Sequence, residues 1–157
     1  MVATKSEGFA GAGFVCVGAG AGATLTLQGC NLTCEGGAAS TMGSIQIIGA
    51  GTTLVMSGCC IHDGKQRGVN IGQGASATLE NNDIHSNTMA GVGVHGEGTE
   101  AVLKGNRIHD GKMEGVLISN NANVTLENNT IADNDLQGVQ LQDHSTATLT
   151  GADLDFL

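Results

Sequence analysis

Residues 123–141 read NVTLENNTIADNDLQGVQL and contain two short segments in which apolar and polar residues alternate. Val124 and Leu126 are the apolar residues of the first segment, and Val139 and Leu141 those of the second. A period of two is typical of short β-strands that bury one face. The Asn/Asp-rich residues between the segments are typical of turns. The stretch therefore predicts strands joined by turns, without a helix.

The same pattern recurs along the chain at a nearly constant spacing. One apolar position of the first segment returns in every repeat, with a single longer step at the start: Leu27, Met56, Leu79, Leu103, Leu126 and Leu149. A Gly-Val-x-aliphatic segment recurs with nearly equal steps, beginning at Gly68, Gly91, Gly115 and Gly138. A repeat of this length is typical of a solenoid, in which each repeat packs against its neighbours.

Two solenoid types have a period of roughly 23 residues. A leucine-rich repeat needs a leucine at the start of its strand, and here that position is occupied by Gly74, Gly98, Asn121 and His144. The repeat also has a second strand where a leucine-rich repeat has a helix or spiral. We therefore predict an all-β fold, a right-handed parallel β-helix of about six rungs, each of roughly 23–24 residues.

Stacking the repeats in register predicts inward columns of aliphatic residues. One column follows the turn that ends the first strand: Leu32, Ile61, Ile84, Ile108, Ile131 and Leu154. A corner column lies just before it and changes from cysteine to asparagine along the chain: Cys30, Cys59, Asn82, Asn106, Asn129 and Ala152. Stacked Asn amides hydrogen-bond along such an axis, and Cys is a small apolar substitute.

The β-helix is expected to span residues 14–157, after an N-terminal cap or flexible arm at residues 1–13. Extra residues at 35–42 account for the longer first step and predict an outward loop. The last rung shows no cap, whereas an open solenoid edge normally needs one. This indicates either a longer β-helix or a protein partner that covers the C-terminal rung.

Composition excludes several classes of protein. The chain has 15 acidic and 6 basic residues and a net charge of −9, which excludes a binder of duplex nucleic acid. No apolar run is long enough for a membrane span. The segment 9–17 is interrupted by glycines and follows Glu7, so it does not fit a signal peptide. The cellular location is not predicted.

The run Asn82-x-Ile84-x-x-Asn87-x-x-x-Gly91-Val92-x-Val94 and the similar run from Asn129 to Leu141 resemble the repeat of the pectate-lyase-like right-handed β-helix superfamily. The resemblance covers roughly residues 24–157. It implies the fold, but the superfamily includes polysaccharide lyases, epimerases, hydrolases, phage tailspikes and β-helix regions of F-box-type proteins. The resemblance therefore leaves the function open.

A carbohydrate-active protein is the alternative that this resemblance implies. In lyases of the superfamily, acidic residues hold Ca²⁺ and an Arg or Lys removes the proton α to a carboxylate. The basic candidates here are Lys65, Arg67, Arg107 and Lys112. The outward columns of the Gly-Val-x-aliphatic strand contain no acidic cluster, however, and Trp and Tyr, the usual sugar platforms, are absent from the sequence.

A histidine column is the strongest candidate for a metal site. His62, His85 and His109 each follow an inward Ile, and Asp63 and Asp110 follow two of them. His and carboxylate side chains one rung apart are suitable metal ligands. The column also fits a solvated polar stack, since Thr33 and Ala132 occupy it elsewhere. We predict no cofactor and keep a metal ion at these five residues as a hypothesis.

The cysteines add little to this hypothesis. The five residues Cys16, Cys30, Cys34, Cys59 and Cys60 match no standard zinc spacing. A reduced inward stack of Cys30 and Cys59 is the simpler interpretation.

The leading functional hypothesis is a non-catalytic scaffold or accessory subunit that binds protein partners in a larger assembly. It is based on the uncapped last rung, the polar outward columns and the lack of a convincing cleft. A polysaccharide lyase or epimerase is the alternative. A rank of threonines such as Thr24, Thr26, Thr146 and Thr148 would also suit an ice or crystal surface, but Glu100, Val102 and Lys104 interrupt it.

Overall fold

The computed structural model describes residues 2–4, 7–10, 17–20, 22–33 and 43–154. These residues form strands and turns, with no helix among them, so none of them belongs to a helix that could cross a membrane. In chain order the strands are β1 (Val2–Thr4), β2 (Glu7–Ala10), β3 (Val17–Gly20), β4 (Thr24–Gln28), β5 (Asn31–Thr33), β6 (Ile45–Ile48), β7 (Thr53–Ser57), β8 (Cys60–His62), β9 (Val69–Gly72), β10 (Ser76–Glu80), β11 (Asp83–His85), β12 (Val92–His95), β13 (Glu100–Lys104), β14 (Arg107–His109), β15 (Val116–Ser119), β16 (Asn123–Glu127), β17 (Thr130–Ala132), β18 (Val139–Leu141), β19 (Thr146–Thr150) and β20 (Asp153–Leu154).

Every third strand joins the same parallel sheet. Sheet A has the order β1-β4-β7-β10-β13-β16-β19, sheet B the order β2-β5-β8-β11-β14-β17-β20, and sheet C the order β3-β6-β9-β12-β15-β18. The described residues thus form six three-stranded coils and two strands of a seventh. The predicted parallel β-helix of about six rungs is confirmed.

The inward columns form the core in the predicted register. Ile61, Ile84, Ile108 and Ile131 are register neighbours in sheet B, and all four are fully buried. Leu79 and Leu103 are paired in the same way in sheet A. A period of two in each strand therefore places two apolar columns of sheet A, two of sheet C and one of sheet B inside the coil.

An asparagine ladder occupies the corner between sheets A and B. The Nδ2 of Asn82 donates to the Oδ1 of Asn106 at 2.9 Å, and the Nδ2 of Asn106 donates to the Oδ1 of Asn129 at 3.0 Å. In the earlier coils, cysteine takes this place. The thiols of Cys30 and Cys59 are buried and donate to backbone carbonyls at 3.6 and 3.3 Å, and burial raises the pKa of Cys59.

A second ladder lies at the corner between sheets B and C, and the sequence reasoning missed it. The Oδ1 of Asn87 accepts from the backbone N–H of Gly64 at 3.0 Å, and Asn134 accepts from Gly111 at the same distance. A Cβ at Gly64 or Gly111 would lie 2.9 Å from the Asn oxygen of the following coil. Asn and Gly therefore alternate here for steric reasons.

The N-terminal cap or arm at residues 1–13 and the outward loop at 35–42 stay predictions. Strands β1 and β2, within the proposed cap or arm, pair with β4 and β5 and so extend sheets A and B. The predicted outward loop at 35–42 lies outside the described residues, as do Cys16 and Cys34.

Candidate functional site

The histidine column lies on the outer face of sheet B. His62, His85 and His109 are register neighbours on β8, β11 and β14. Successive ring centroids are 5.1 Å apart, with interplanar angles of 7° and 18°. This spacing follows from the distance between parallel strands. His109 is the most buried of the three rings, with 8% of its surface exposed although it faces outward.

The turn after each histidine determines what its Nδ1 atom contacts. Asp63, Ser86 and Asp110 have φ values of 53°, 55° and 53°, a conformation that short polar residues tolerate better than most. The Nδ1 of His62 lies 2.6 Å from Asp63 Oδ2, and the Nδ1 of His109 lies 2.6 Å from Asp110 Oδ2. The Nδ1 of His85 lies 3.0 Å from Ser86 Oγ.

The Nε2 atom of each histidine faces a side chain of the preceding coil. That of His62 lies 2.7 Å from Asn31 Oδ1. That of His109 lies 2.8 Å from Asp83 Oδ1. The Nε2 of His85 instead lies 3.5 Å from Cys60 Sγ. The middle ring is thus the one of the three that meets a thiol.

Cys60, Asp83 and His85 form a compact group of ligand-type atoms. One such atom from each residue lies within 4.8 Å of the other two, and all three side chains are half-buried. Of the metal ligands predicted from the sequence, only His85 belongs to this group. Cys60 was set aside with the other cysteines because their spacing matches no standard zinc motif, and Asp83 was missed, although residues two apart on a strand share a face and could have signalled it.

Electrostatics favours uncharged groups at the middle ring. Burial raises the pKa of the Cys60 thiol, and the charges of Asp83 and Asp63 raise it further. Burial lowers the pKa of His85, although Asp83 opposes this effect. At the next coil, the hydrogen bond with His109 lowers the pKa of Asp110. Both shifts at the middle ring favour the uncharged forms, the thiol of Cys60 and the neutral imidazole of His85.

The four basic candidates do not converge on one place. Arg107 is exposed on sheet B, and Lys65 and Lys112 are exposed on the turns between sheets B and C. The Nζ of Lys112 lies 3.7 Å from Asp135 Oδ2. Arg67 lies on the outer face of sheet C. Lys65 lines a shallow open pocket with Thr33, His62, Asp63, Ser86 and Thr88.

Arg67 belongs to a polar group that the sequence reasoning did not assemble. Its side chain crosses Gly93, where a Cβ would lie 2.6 Å from Arg67 Cδ, and its Nη1 donates to Asn70 Oδ1 at 3.0 Å. The turn before β15 brings Glu114, which is 5% exposed, to the same region. The Nε of Arg67 and the Oε2 of Glu114 are buried without a hydrogen-bond partner among the described residues.

Burial changes the acidity of this second group. It lowers the pKa of Arg67, while the charge of Glu114 acts in the opposite direction. Burial also lowers the pKa of His95, and the positive charge of Arg67 adds to that effect. Sheet C therefore carries an Arg and a His whose neutral forms are favoured relative to those in water.

The outer face of sheet A has a different character. Its middle column consists of β-branched residues: Thr26, Val55, Thr78, Val102, Thr125 and Thr148. Val55 and Val102 are 42% and 39% exposed. The column is flanked by Glu80, Glu100 and Glu127 and by Lys104, whose Nζ lies 3.7 Å from Glu127 Oε2.

Comparison with known proteins identifies the architecture. A family model described as a right-handed β-helix region matches residues 43–154, which is more than two-thirds of the chain. The match supplies the hand of the coil and covers the histidine column, Arg67 and most of sheet A. No similar protein was found among curated proteins.

Proposed function

We propose that this chain, which belongs to the family of right-handed β-helix proteins, is a non-catalytic scaffold that binds a protein partner across the outer face of sheet A. The observation that carries the proposal is the β-branched column with Val55 and Val102 exposed. The described strands of this face present Thr, Ser, Val, Gln, Asn, Glu and Lys side chains, without His or Cys. Such a surface suits binding better than acid–base chemistry.

The dimensions of sheet A predict a weak, reversible complex. Six strands from β4 to β19 at about 4.8 Å spacing span about 24 Å, and five residues per strand span about 17 Å. The flat face therefore offers about 400 Å², about half of what one partner buries in a standard interface. A complex that uses this face alone is expected to dissociate readily, and a stable complex would need further contact area from a neighbouring face.

Charge indicates the kind of partner. The three glutamates beside the valines outnumber Lys104, and the whole chain has a net charge of −9. An acidic surface steers association with a basic partner, and screening by salt weakens that steering. The proposed partner is therefore a protein with a basic surface.

The test starts from the protein in extract of its own source. Size fractionation with mass spectrometry of co-eluting proteins identifies constant companions, and each is then purified and titrated against the full chain. The variant V55K/V102K should weaken binding at least about tenfold, since it places two cations on the face. Q137K/Q142K adds the same charge at exposed positions elsewhere and should bind like the wild type. The proposal is refuted if this protein elutes from its own extract as a single chain at low salt. It is also refuted if V55K/V102K and Q137K/Q142K lose the same binding affinity.

A carbohydrate-active function is the second candidate, and the Arg67 group favours it. The Arg67 Nε and the Glu114 Oε2 are both buried without a hydrogen-bond partner within the described residues, so the pair offers a cation and a carboxylate to a polar ligand. An open groove of about 500 Å³ lies on β3 and β6 of the same sheet, next to β9, and is lined by Gly18, Ala19, Gly20, Gln46 and Ile48. Acidic polysaccharides incubated with and without Ca²⁺ should then give unsaturated products with the wild type and none with R67Q. No product from the wild type refutes this candidate.

A further inference from the structure

We propose that Cys60, Asp83 and His85 bind a divalent transition-metal ion, with Zn²⁺ as the preferred ion and water as the fourth ligand. This site lies on sheet B and is independent of partner binding through sheet A. The set combines one thiolate, one carboxylate and one imidazole, which are the three ligand types that Zn²⁺ takes in proteins. Ca²⁺ and Mg²⁺ prefer oxygen ligands alone, so they fit this set poorly.

The distance between the donor atoms fits a tetrahedral ion. With Zn–S of about 2.3 Å and Zn–N of about 2.0 Å, the two ligands of a tetrahedron are about 3.5 Å apart. Cys60 Sγ and His85 Nε2 are 3.5 Å apart. A metal ion therefore needs only small adjustments of side chains that already converge within 4.8 Å.

Neighbouring side chains hold the ligands in the required orientation. The Nδ1 of His85 lies 3.0 Å from Ser86 Oγ, and in the tautomer that donates from Nδ1–H to this oxygen the Nε2 lone pair is directed to Cys60. One oxygen of Asp83 contacts His109 Nε2 at 2.8 Å, and its carboxylate has further lone pairs for an ion. Such outer contacts are typical of metal sites and fix the ring and the carboxylate.

The adjacent coils lack one ligand type each, which explains why the site is confined to the middle ring. The position of Cys60 is taken by Asn31 in the preceding coil and by Arg107 two coils later. Beside His62 the set would include an amide, which is a weak ligand. Beside His109 it would include a guanidinium, which repels a cation. Asp63 and Asp110 contact Nδ1 atoms from the turns instead.

Binding of one metal ion should release one proton. The Cys60 thiol becomes a thiolate as the ion binds, and the proton is released to solvent. His85 and Asp83 bind as the neutral imidazole and the carboxylate, so neither exchanges a further proton. A buffer-dependent calorimetric titration should therefore report about one proton released per ion.

Co²⁺ is the probe of choice because its spectrum reports the ligands. The full chain, kept reduced, is titrated with Co²⁺, and Zn²⁺ is then added in competition. The wild type should bind one ion with a thiolate-to-cobalt charge-transfer band and tetrahedral d–d absorption, and Zn²⁺ should abolish both. C60S should lose the charge-transfer band, and D83N and H85Q should each bind at least about tenfold more weakly.

H62Q is the matched control, because it removes a stacked ring of the same column but none of the three ligands. It should bind Co²⁺ within about twofold of the wild type. The site is refuted if the wild type shows no charge-transfer band, if C60S binds as tightly, or if H62Q loses as much affinity as H85Q.

A second measurement needs no variant and so does not depend on folding of C60S. Zn²⁺ should slow alkylation of Cys60 in the wild type at least about tenfold, as read by peptide mass spectrometry, because a coordinated thiolate is shielded. An unchanged rate of alkylation at saturating Zn²⁺ overturns the assignment of Cys60 as a ligand.

Discussion

Replacement of Asn106 by alanine should remove about 4 kcal/mol of folding stability, because its buried side chain makes four hydrogen bonds. Its Oδ1 accepts from the backbone N and the Nδ2 of Asn82 at 3.0 and 2.9 Å, and its Nδ2 donates to Leu79 O at 2.8 Å and to Asn129 Oδ1 at 3.0 Å. At a net value of about 1 kcal/mol each, these four bonds give about 4 kcal/mol. The orphaned N–H of Asn82 adds to this cost, whereas collapse of the corner reduces it.

The chain itself supplies the matched control, because earlier coils have cysteine at this position. The Sγ of Cys59 accepts from the backbone N of Cys30 at 3.4 Å and donates to Ser57 O at 3.3 Å. N106C should thus retain about two of the four bonds and lose about 2 kcal/mol. Urea unfolding with a common m-value measures both variants. A loss below about 1 kcal/mol for N106A, or equal losses for the two variants, would refute the ladder as a source of stability.

Three further predictions follow from contacts at the corners and outer faces. G111A should lose about 1–3 kcal/mol in urea unfolding, because its Cβ would lie 2.9 Å from Asn134 Oδ1; unchanged stability would contradict this. The pKa values of His85 and His95 are lower in the folded chain, so the unfolded chain binds protons more readily. The free energy of unfolding should therefore be highest above about pH 6.5 with respect to these two groups, and it should decrease as the pH falls below that value. The variant H85Q/H95Q should flatten that fall, measured as urea midpoints between about pH 7 and pH 5, and an equally steep fall would show that other groups cause it. K104A should change stability by less than about 0.5 kcal/mol, since its ion pair is solvent-exposed, and a larger loss would indicate packing of its aliphatic stem.

The sequence predicts the coil well because repetition and alternation reinforce each other. The equivalent positions around Leu79 and Leu126 fix the register, and a period of two then separates inward from outward residues. The ladder of Asn82, Asn106 and Asn129 follows from the same alignment. These features depend on spacing alone, and spacing is what a sequence records directly.

The candidate sites are harder to predict because they depend on side-chain direction and on turns. Glu114 belongs to a turn and was absent from the outward columns of sheet C, yet it reaches the region of Arg67. Asp63 and Asp110 look like metal ligands in the sequence, but their positive φ angles place them at Nδ1 of the adjacent rings. Only the contact across coils shows that His85 meets Cys60.

The metal site illustrates how a parallel coil assembles chemistry from distant residues. Cys60 and Asp83 are one full repeat apart in the chain and yet are register neighbours, since each coil returns the chain to the same outer column. Repetition of the coil supplies the three stacked histidines. A neighbouring column of the same sheet differs from coil to coil and supplies the thiol of Cys60, the carboxylate of Asp83 and the guanidinium of Arg107. A site of this kind needs a change of only one or two residues per coil, while the inward columns keep the fold.

The proposed partner face and the proposed metal site should act independently. Sheets A and B meet at the buried Asn corner and share one core. In the described residues, only short turns connect the strands of the two sheets. Coupling between sites requires an element with two arrangements that both ligands bias. V55K/V102K should therefore bind Co²⁺ like the wild type, and C60S should bind the basic partner like the wild type. A shift above about threefold in either titration would reveal coupling through the coil and contradict a rigid scaffold.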